Sequence, residues 1–270
     1  MTADQRLAIL TIKVDRAKEH LAEVERESRA FLATRPYEIG VRRHAETQRT
    51  IYYVSGVRDT PPRLAAVVGD VIQNLRSALD QLAAQLVEIG TGTSAGKHVY
   101  FPIGDDLASY SAKKAKQTTG MTAAAVHTID ALRPYKGGNE SLWQVHALNI
   151  IDKHRALLTV GSAFHSVDVG GIVTRVMGDA VREAGLFKGK ELPTFDLFLR
   201  PADRLFPLRV GAELFEDLPD APPDPAIRFQ LDVALGEPGI LEGEPLVEAL
   251  SRMVGAVEST LPQFAAHLAE

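Results

Sequence analysis

The sequence has no cysteine among its 270 residues. Disulfide bonds, thiol nucleophiles and zinc sites with thiolate ligands are therefore excluded. No apolar run approaches the length that crosses a membrane, and residues 1–30 carry charged side chains throughout, which differs from a secretory signal. We therefore expect a cytoplasmic protein without a membrane partner.

A strong excess of basic charge is also missing, since the formal net charge is −5. The charge is unevenly distributed: residues 161–270 hold 9 basic and 18 acidic residues, whereas residues 1–160 hold 21 and 17. The small basic excess of the first part is far from the signature of a duplex-DNA-binding protein. We expect no duplex DNA as a partner, and we expect any anionic partner to contact residues 1–160.

The sequence motifs of several large enzyme classes are absent too. There is no Gly-x-Ser-x-Gly, no His-Glu-x-x-His, no dinucleotide-binding glycine fingerprint and no zinc-deaminase signature. His127 and Asp130 are one helical turn apart, a spacing that suits a metal ion, but the sequence shows no third ligand that would join them. We therefore expect neither a metal ion nor a cofactor.

The clearest pattern that is present begins after Pro61. Apolar residues recur at alternating steps of four and three, which predicts a helix over residues 61–89 with one buried stripe. The stripe consists of Leu64, Val68, Val71, Leu75, Ala78, Leu82, Leu86 and Ile89. At about 100° per residue, Arg76 and Asp80 lie on one shoulder of this stripe, while Asn74 and Gln81 lie on the other.

The whole chain is expected to have an α+β fold. Similar apolar spacing predicts further helices near residues 3–33, 122–132, 140–160 and 245–268. Alternation with a period of two predicts a β-hairpin over 37–57 and strands over 164–177, 195–199, 208–214 and 227–235. Residues 1–160 should form a long-helix bundle with the hairpin inserted, and residues 161–270 an antiparallel β region closed by a helix. We expect these two parts to pack as one unit.

The predicted helix over residues 140–160 has an unusual distribution of side chains. Its apolar residues define one arc, which consists of Trp143, Ala147, Ile150, Ile151, Leu157 and Leu158. His154 falls at the centre of that arc, whereas Asp152 and Arg155 face away from it. We therefore expect the His154 ring to point into the core.

Two strings on these predicted helices carry most of the functional information. They are Asn-Leu-Arg-Ser-Ala-Leu-Asp-Gln at residues 74–81 and Ile-Asp-Lys-His-Arg at residues 151–155. The first string resembles the Arg-x4–6-His signature of HEPN-type helical domains, many of which are metal-independent ribonucleases of toxin–antitoxin and phage-defence systems that act as dimers. The whole chain is also similar to a set of uncharacterised bacterial proteins that share the Asn-Leu-Arg-Ser-Ala-Leu-Asp and Asp-Lys-His-Arg strings.

The HEPN-like resemblance covers about one helix and implies a site on it. Arg76 is at the arginine position, but Gln81 stands where the signature has histidine, and glutamine cannot transfer a proton near neutral pH. His154 is then the expected imidazole. We expect Arg76 and His154 to share a polar pocket in the seam between their helices.

In that pocket Arg76 would hold a phosphate, His154 would move protons and Asp80 would orient the guanidinium group. The neighbouring residues expected to bind the ligand are Asn74, Gln81, Lys153 and Arg155. Because RNA supplies its own 2′-hydroxyl nucleophile, an arginine and a histidine suffice for cleavage. The resemblance thus implies a bacterial homodimer of toxin or defence type that cleaves or binds single-stranded RNA.

The alternative is a helical binding or assembly module that performs no chemistry and binds an unknown ligand, for example a pyrimidine or a purine. In that case Arg76 and Asp80 form an ion pair on a solvated helix edge, worth about 0.3–0.5 kcal/mol. His154 is then a hydrogen-bonded structural residue. A solvated Arg76 favours this alternative, whereas a dimer with two Arg76 side chains in one basic groove favours the nuclease.

Overall fold

The computed structural model describes most of the chain. The described residues are 1–96, 99–155, 157, 159–168, 170, 198–199, 208–225 and 227–269. Helices and antiparallel sheets both occur in them, so the predicted α+β class is confirmed. Within these ranges, no helix is long and apolar enough to cross a lipid bilayer.

Two long helices, α1 (Ala3–Ala33) and α2 (Pro62–Thr91), form the centre of the bundle. They run in opposite directions, because Arg6 near the start of α1 pairs with Glu88 near the end of α2. The apolar stripe predicted on α2 is confirmed, since its members from Leu64 to Leu86 are at most 1% exposed. The remaining helices described are α3 (Leu107–Gln117), α4 (Ala123–Ala131), α5 (Glu140–Asp152) and α6 (Leu246–Thr260).

The strands form two antiparallel sheets, one of three strands and one of four. The strands are β1 (Tyr37–Arg43), β2 (Arg49–Val57), β3 (Thr159–Asp168), β4 (Phe198–Leu199), β5 (Glu213–Pro219), β6 (Arg228–Glu237) and β7 (Leu241–Pro245). The first sheet has the order β1-β2-β5 and the second the order β4-β3-β6-β7. The predicted hairpin is confirmed by the β1–β2 pairing, and β5 adds a strand from the C-terminal part to it.

The helix predicted over residues 140–160 is wrong at its C-terminal end. α5 stops at Asp152, and the N–H groups of His154 and Arg155 both bond to the carbonyl of Ile151 over 2.9 Å. The chain then enters β3, whose first residue, Thr159, pairs with Leu235 of β6. Strand pairing with a distant segment thus overrides the helical spacing of the apolar residues.

Two other boundaries differ from the sequence-based expectation. The closing helix ends at Thr260 rather than near residue 268, and a 3-10 turn (Leu261–Phe264) that contains Pro262 follows it. The strand predicted over 208–214 begins only at Glu213, because Gly211 adopts a φ of 93° that interrupts an extended chain. The strands predicted over 171–177 and 195–197 lie outside the described residues.

The larger of two apolar clusters among the described residues joins the bundle to the second sheet. α6 packs on α1, α2 and α5, and β6 contributes Val233 and Leu235 to the same cluster of buried side chains. The segment 99–103 enters this core between α2 and the final turn. The ring of Phe101 is fully buried there and meets Phe264 edge-on, with 6.5 Å between the ring centroids.

Candidate functional site

Arg76 and Asp80 lie one turn apart on α2 and form a two-point ion pair. Arg76 Nε donates to Asp80 Oδ2 over 3.1 Å, and Nη2 donates to Oδ1 over 2.6 Å, so the expected contact is present. Arg76 is only 5% exposed, which makes the solvated helix edge of the alternative wrong for this residue. Its Nη1 is buried and has no hydrogen-bond partner among the described residues.

The same ion pair holds the segment 99–103 against α2. The N–H of Phe101 donates to Asp80 Oδ1 over 2.9 Å, and the carbonyl of Phe101 accepts from Arg76 Nη2 over 3.0 Å. The backbone groups of Phe101 therefore find their partners in side chains of α2, which satisfies polar groups that would otherwise be buried without a bond. The pair has a structural function whatever else it does.

Burial and pairing act in opposite directions on these two charges. Burial raises the pKa of Asp80 and lowers the pKa of Arg76, while the mutual ion pair opposes both shifts. The guanidinium group keeps its proton because of its high intrinsic basicity, and the fork-shaped contact matches a carboxylate. The seam therefore contains a buried guanidinium cation that is paired with one carboxylate.

His154, the imidazole expected from the sequence, is not buried. It lies in the turn after α5 and is exposed, so the expectation that its ring points into the core is wrong. The helical wheel assumed that the α-helical phase continues to residue 160, whereas the helix ends at Asp152. The predicted pocket of Arg76 with a buried His154 is therefore not formed.

The register of α5 against α2 brings a different imidazole to the seam. Asp152 packs on Gly69, where a Cβ atom would lie 2.5 Å from Asp152 Oδ1. The absence of a side chain at Gly69 thus permits close approach of the two helices. The charge of Arg76, seven residues forward on α2, acts on His146, six residues back on α5, so the two helices run in opposite directions from this contact.

His146 is the functional candidate that sequence reasoning missed. Its ring is half-buried, and Nδ1 is fully buried without a hydrogen-bond partner among the described residues. Burial and then the nearby charge of Arg76 lower the pKa of His146 to about 4. The ring is therefore neutral at pH 7. On a helical wheel His146 is at the edge of the apolar arc, so only the register between α2 and α5 identifies it.

Four charged side chains lie close enough to the His146 ring to act on its charge. Lys113 and Lys153 are exposed, and their positive charges add to that of Arg76 in lowering the pKa of His146. Asp105 acts in the opposite sense and pairs with Lys113 across 3.5 Å. Tyr100, which is 43% exposed, lies close enough to act on the charge of Arg76. The cluster therefore combines a neutral imidazole with three cations, and two of these reach solvent.

Three of the ligand-binding candidates from the sequence are engaged elsewhere or point elsewhere. Asn74 Nδ2 donates to the carbonyl of Asp70 over 2.8 Å within α2. Gln81 is about 140° around the helix from Arg76, and its buried Oε1 has no partner among the described residues. Arg155 makes a two-point contact with Glu237 of β6, at 3.0 and 2.7 Å. Of the four candidates, only Lys153 belongs to the cluster.

No group of three or more His, Cys, Asp or Glu residues in the described ranges is arranged to hold a metal ion. Asp130, which has metal-compatible spacing from His127, instead accepts hydrogen bonds from the Tyr110 hydroxyl at 2.6 Å and from Lys114 at 2.9 Å. These contacts connect α4 to α3. The carboxylate is thus part of a local network between two short helices.

Comparison with known proteins adds no further information about the site. No family model, no curated protein and no solved structure matches this chain.

Proposed function

We propose that this chain binds single-stranded RNA and cleaves it without a metal ion, with His146 in the role that the sequence suggested for His154. The proposal is supported by one observation above all: the His146 ring is neutral and half-buried in a cluster with Arg76 and two exposed lysines. A neutral imidazole accepts a proton, and the cations suit a phosphate. The toxin or defence role implied by the HEPN-like resemblance, in the bacterial cytoplasm, belongs to this proposal.

The chemistry needs few groups because RNA carries its own nucleophile. His146 would take the proton of a 2′-hydroxyl, and the 2′-oxygen would attack the adjacent phosphorus atom. The bond from phosphorus to the 5′-oxygen then breaks, which leaves a 2′,3′-cyclic phosphate and a 5′-hydroxyl. Arg76, Lys113 and Lys153 would stabilise the charge that develops on the phosphate oxygens.

The low pKa of His146 indicates how much proton transfer contributes relative to electrostatic stabilisation by the cations. A base with a pKa of about 4 is correctly deprotonated at pH 7 but weak, so it contributes less than a base poised near neutrality. Most of the rate increase must then come from electrostatic stabilisation by the cations. We accordingly expect the lysines to matter about as much as the imidazole.

The proposal includes a homodimer. One cluster offers one imidazole to accept the 2′-proton, and the departing 5′-oxygen needs a proton as well. The imidazolium formed when His146 accepts the 2′-proton would pass that proton to the departing 5′-oxygen, and a second copy of the cluster in the same groove would add its cations to those that face the phosphate. Light scattering of the purified chain should then give twice the monomer mass of 29.3 kDa.

The test is cleavage of a labelled single-stranded RNA by the purified chain in excess EDTA. We expect cleavage by wild type and about a hundredfold loss in His146→Ala, the lower end of the contribution of a general base. His127→Ala is the matched control, because His127 is exposed on α4 and outside the cluster. His154→Ala compares the imidazole expected from the sequence with the one found in the cluster.

A 2′-deoxy nucleotide at the cleaved position separates chemistry from binding. It should stop cleavage there and leave binding nearly unchanged, because it removes the nucleophile and keeps the phosphate. Intact RNA after incubation with wild-type protein would reject the cleavage part of the proposal. Binding without cleavage would leave an RNA-binding protein.

A second candidate function is the non-catalytic binding or assembly module. It is favoured by the contacts of Arg76 and Asp80 with the Phe101 backbone, since both side chains already serve to hold the segment 99–103. On this hypothesis, Arg76→Ala lowers the free energy of unfolding, and wild type and variant are equally inert towards RNA. Cleavage that is lost in His146→Ala but kept in an equally stable control would exclude it.

A further inference from the structure

The first strand of the hairpin, β1, is an edge of its sheet. In the order β1-β2-β5, the strand that pairs with it among the described residues is β2. From Glu38 to Arg43 every side chain is exposed or half-buried, and Val41 is 43% exposed. An edge strand presents N–H and C=O groups that can pair with a further strand. β1 is therefore a surface on which another strand can extend the sheet.

The hairpin register shows which backbone groups of β1 point away from β2. The N–H of His44 donates to the carbonyl of Arg49 over 2.8 Å, so the backbone of His44 faces β2. This register continues unchanged along β1 as far as Ile39. Because the direction of the backbone groups alternates along an antiparallel strand, the even-numbered residues face β2. Ile39, Val41 and Arg43 therefore direct their N–H and C=O groups towards the open edge.

The side chains of β1 are complementary to a second, antiparallel copy of the same strand. If Gly40 lies opposite Gly40 of the second copy, Glu38 lies opposite Arg42 and Ile39 opposite Val41. Opposite charges that face each other across two strands are stabilising. In this register the outward backbone groups of Ile39 and Val41 also face each other and form hydrogen bonds. A shift by two residues in either direction places glycine opposite one of the charged residues and loses both ion pairs.

Arg42 already has a partner in its own chain. It contacts the carboxylate of Glu213 on β5 and lies over the ring of Tyr53, with 5.0 Å between the guanidinium carbon and the ring centroid. A guanidinium group has five N–H donors, so it can bond to a second carboxylate. Glu38 is exposed, lies against Gly56 and has no ion pair with a described residue. The pair between two copies thus joins an available carboxylate to an arginine that is already held in place.

An apolar groove of about 390 Å³ lies beside the edge, on the face of the sheet that carries Ile39 and Val41. Its other wall includes Pro223, Ile227 and Phe229. In the register centred on Gly40, Ile39 of the second copy lies opposite Val41 and on this face, because directly opposite side chains share a face of a sheet. Its side chain therefore extends over the groove, where its apolar surface is removed from water.

Tyr37 gives a second, independent indication. Its hydroxyl is buried without a partner among the described residues, and it lines a cleft that continues the groove beyond Ile39. Buried hydroxyls without a hydrogen bond are rare in folded proteins. In the same register, Arg43 of the second copy lies opposite Tyr37. Arg43 is paired with the exposed Asp220 across 3.5 Å, and its remaining N–H groups can donate to the phenol oxygen.

We propose that β1 pairs with β1 of a second copy of this chain across a twofold axis at Gly40, which joins two three-stranded sheets into one sheet of six strands. The same patch is then used by both copies, as in most homodimers. The proposal goes beyond the RNA-cleaving function, because the interface contains no residue of the His146 cluster and does not require two clusters in one groove. Pairing of one short strand buries little surface, so we expect a Kd of about 10 µM.

The first test measures the mass of the full chain by light scattering at concentrations from about 1 to 100 µM. The mass should rise from 29.3 kDa towards twice this value. Val41→Pro removes an N–H that β2 does not use, and it should raise the Kd by about tenfold or more, because proline cannot donate to the new ladder. A chain that stays monomeric at the highest concentration, or a dimer that Val41→Pro leaves unchanged, would overturn the proposal.

Val41→Lys takes the place of Val41→Pro if the proline variant does not fold, since lysine on an edge strand opposes the addition of another strand. Val210→Lys is the matched control. Val210 is a 65% exposed valine next to Gly211, whose N–H donates to Val54 on the side of β2 away from β1. We expect Val41→Lys to weaken the dimer and Val210→Lys to leave it intact, whereas equal dimerisation of the two variants contradicts an interface at β1.

Because the chain has no cysteine, introduced thiols can test the register. In the register centred on Gly40, Glu38 and Arg42 of the two copies have Cα atoms about 4.5 Å apart, a distance that a disulfide can bridge. A mixture of Glu38→Cys and Arg42→Cys chains, oxidised with glutathione disulfide, should give a cross-linked dimer on a non-reducing gel.

Each cysteine variant by itself is the control for this cross-link. Two copies of residue 38, or two of residue 42, are four positions out of register and about 13 Å apart, so either variant alone should remain largely uncross-linked. Equal cross-linking of a single variant and the mixture, or none in the mixture, would contradict the pairing. No RNA is present in these measurements, so failure of the interface and failure of RNA cleavage are seen separately.

Discussion

Arg76 illustrates how one side chain can have two effects in the same place. Its Nη2 and Nε groups are used by Asp80 and by the carbonyl of Phe101, so they fix the position of a core segment. Its charge also acts on His146 and disfavours the imidazolium form. A mutation of Arg76 therefore changes stability and the state of the imidazole together, and experiments on this residue need both readouts.

Arg76→Ala should lower the free energy of unfolding by about 3 kcal/mol, because it leaves the carboxylate of Asp80 partly buried without its partner. The measurement is urea unfolding at pH 7. Arg16→Ala is the control, since both members of the Arg16–Glu19 pair are more than half exposed and such pairs are worth about 0.5 kcal/mol or less. Equal losses in the two variants would show that the buried pair contributes no more than a surface pair.

His146 should make stability depend on pH in a definite window. Its pKa is lowered from 6.5 to about 4 in the folded protein, so the unfolded chain takes up this proton more readily. The free energy of unfolding is therefore fully retained above pH 6.5 and falls as the pH falls from 6.5 to 4. The loss attributable to this group reaches about 3 kcal/mol.

Urea unfolding of wild type and His146→Gln at several pH values between 7.5 and 4 measures this contribution. As the pH falls across this window, the free energy of unfolding of His146→Gln should rise relative to that of wild type by up to about 3 kcal/mol, because glutamine has no proton to gain. His127→Gln, at an exposed position, is the control. Parallel pH profiles for wild type and His146→Gln would contradict the burial of this imidazole beside cations.

At the scale of elements, the pairing of α2 with α5 positions the candidate site. α2 contributes the ion pair, α5 contributes the imidazole, and the contact between Gly69 and Asp152 sets how the two helices meet. The apolar stripe of α2 determines which face is buried. The site therefore depends on side chains that take no part in its chemistry.

Leu75 tests the contribution of that stripe. It is fully buried next to Arg76, so Leu75→Ala should cost about 2–5 kcal/mol through lost transfer energy and the cavity that remains. Ser77→Ala, two residues away and only partly buried, should change stability by about 0.5 kcal/mol or less. The midpoints of urea unfolding give both values, and equal midpoints for Leu75→Ala and wild type would show that the stripe is not a core.

At the scale of the whole molecule, the two parts expected from the sequence are interleaved. β5, from the C-terminal part, pairs with β2 of the inserted hairpin, and α6 packs in the bundle with α1, α2 and α5. A boundary at residue 160 therefore cuts through one sheet and through the apolar core. We expect neither part to fold by itself.

Unfolding of the whole chain in urea should accordingly be a single cooperative transition. The single tryptophan, Trp143, is 5% exposed on α5 and reports on the bundle by fluorescence, whereas far-UV circular dichroism reports on all helices and strands. The two signals should have the same midpoint. Separate midpoints would show two independent domains and contradict the prediction that residues 1–160 and 161–270 form one unit.

Patterns within one element determined much of the fold. The stripe on α2, the hairpin over 37–57 and the alternation of β6 are readable in the sequence because burial follows the period of the helix or the strand. The pairing of Arg76 with Asp80 is predictable for the same reason, since residues four apart lie on one face of a helix. Each of these features depends only on neighbours in the chain.

Tertiary contacts decided where α5 ends and which imidazole lies near Arg76. The last turn of α5 competes with the pairing of β3 and β6, which joins residues far apart in sequence, and the apolar spacing beyond Asp152 suits either conformation. The neighbour of Arg76 depends on the register of two helices, and that register is set by the approach of Asp152 to Gly69. Periodicity fixes the face of a helix but not its position along a partner, so His146 could be recognised only in the folded chain.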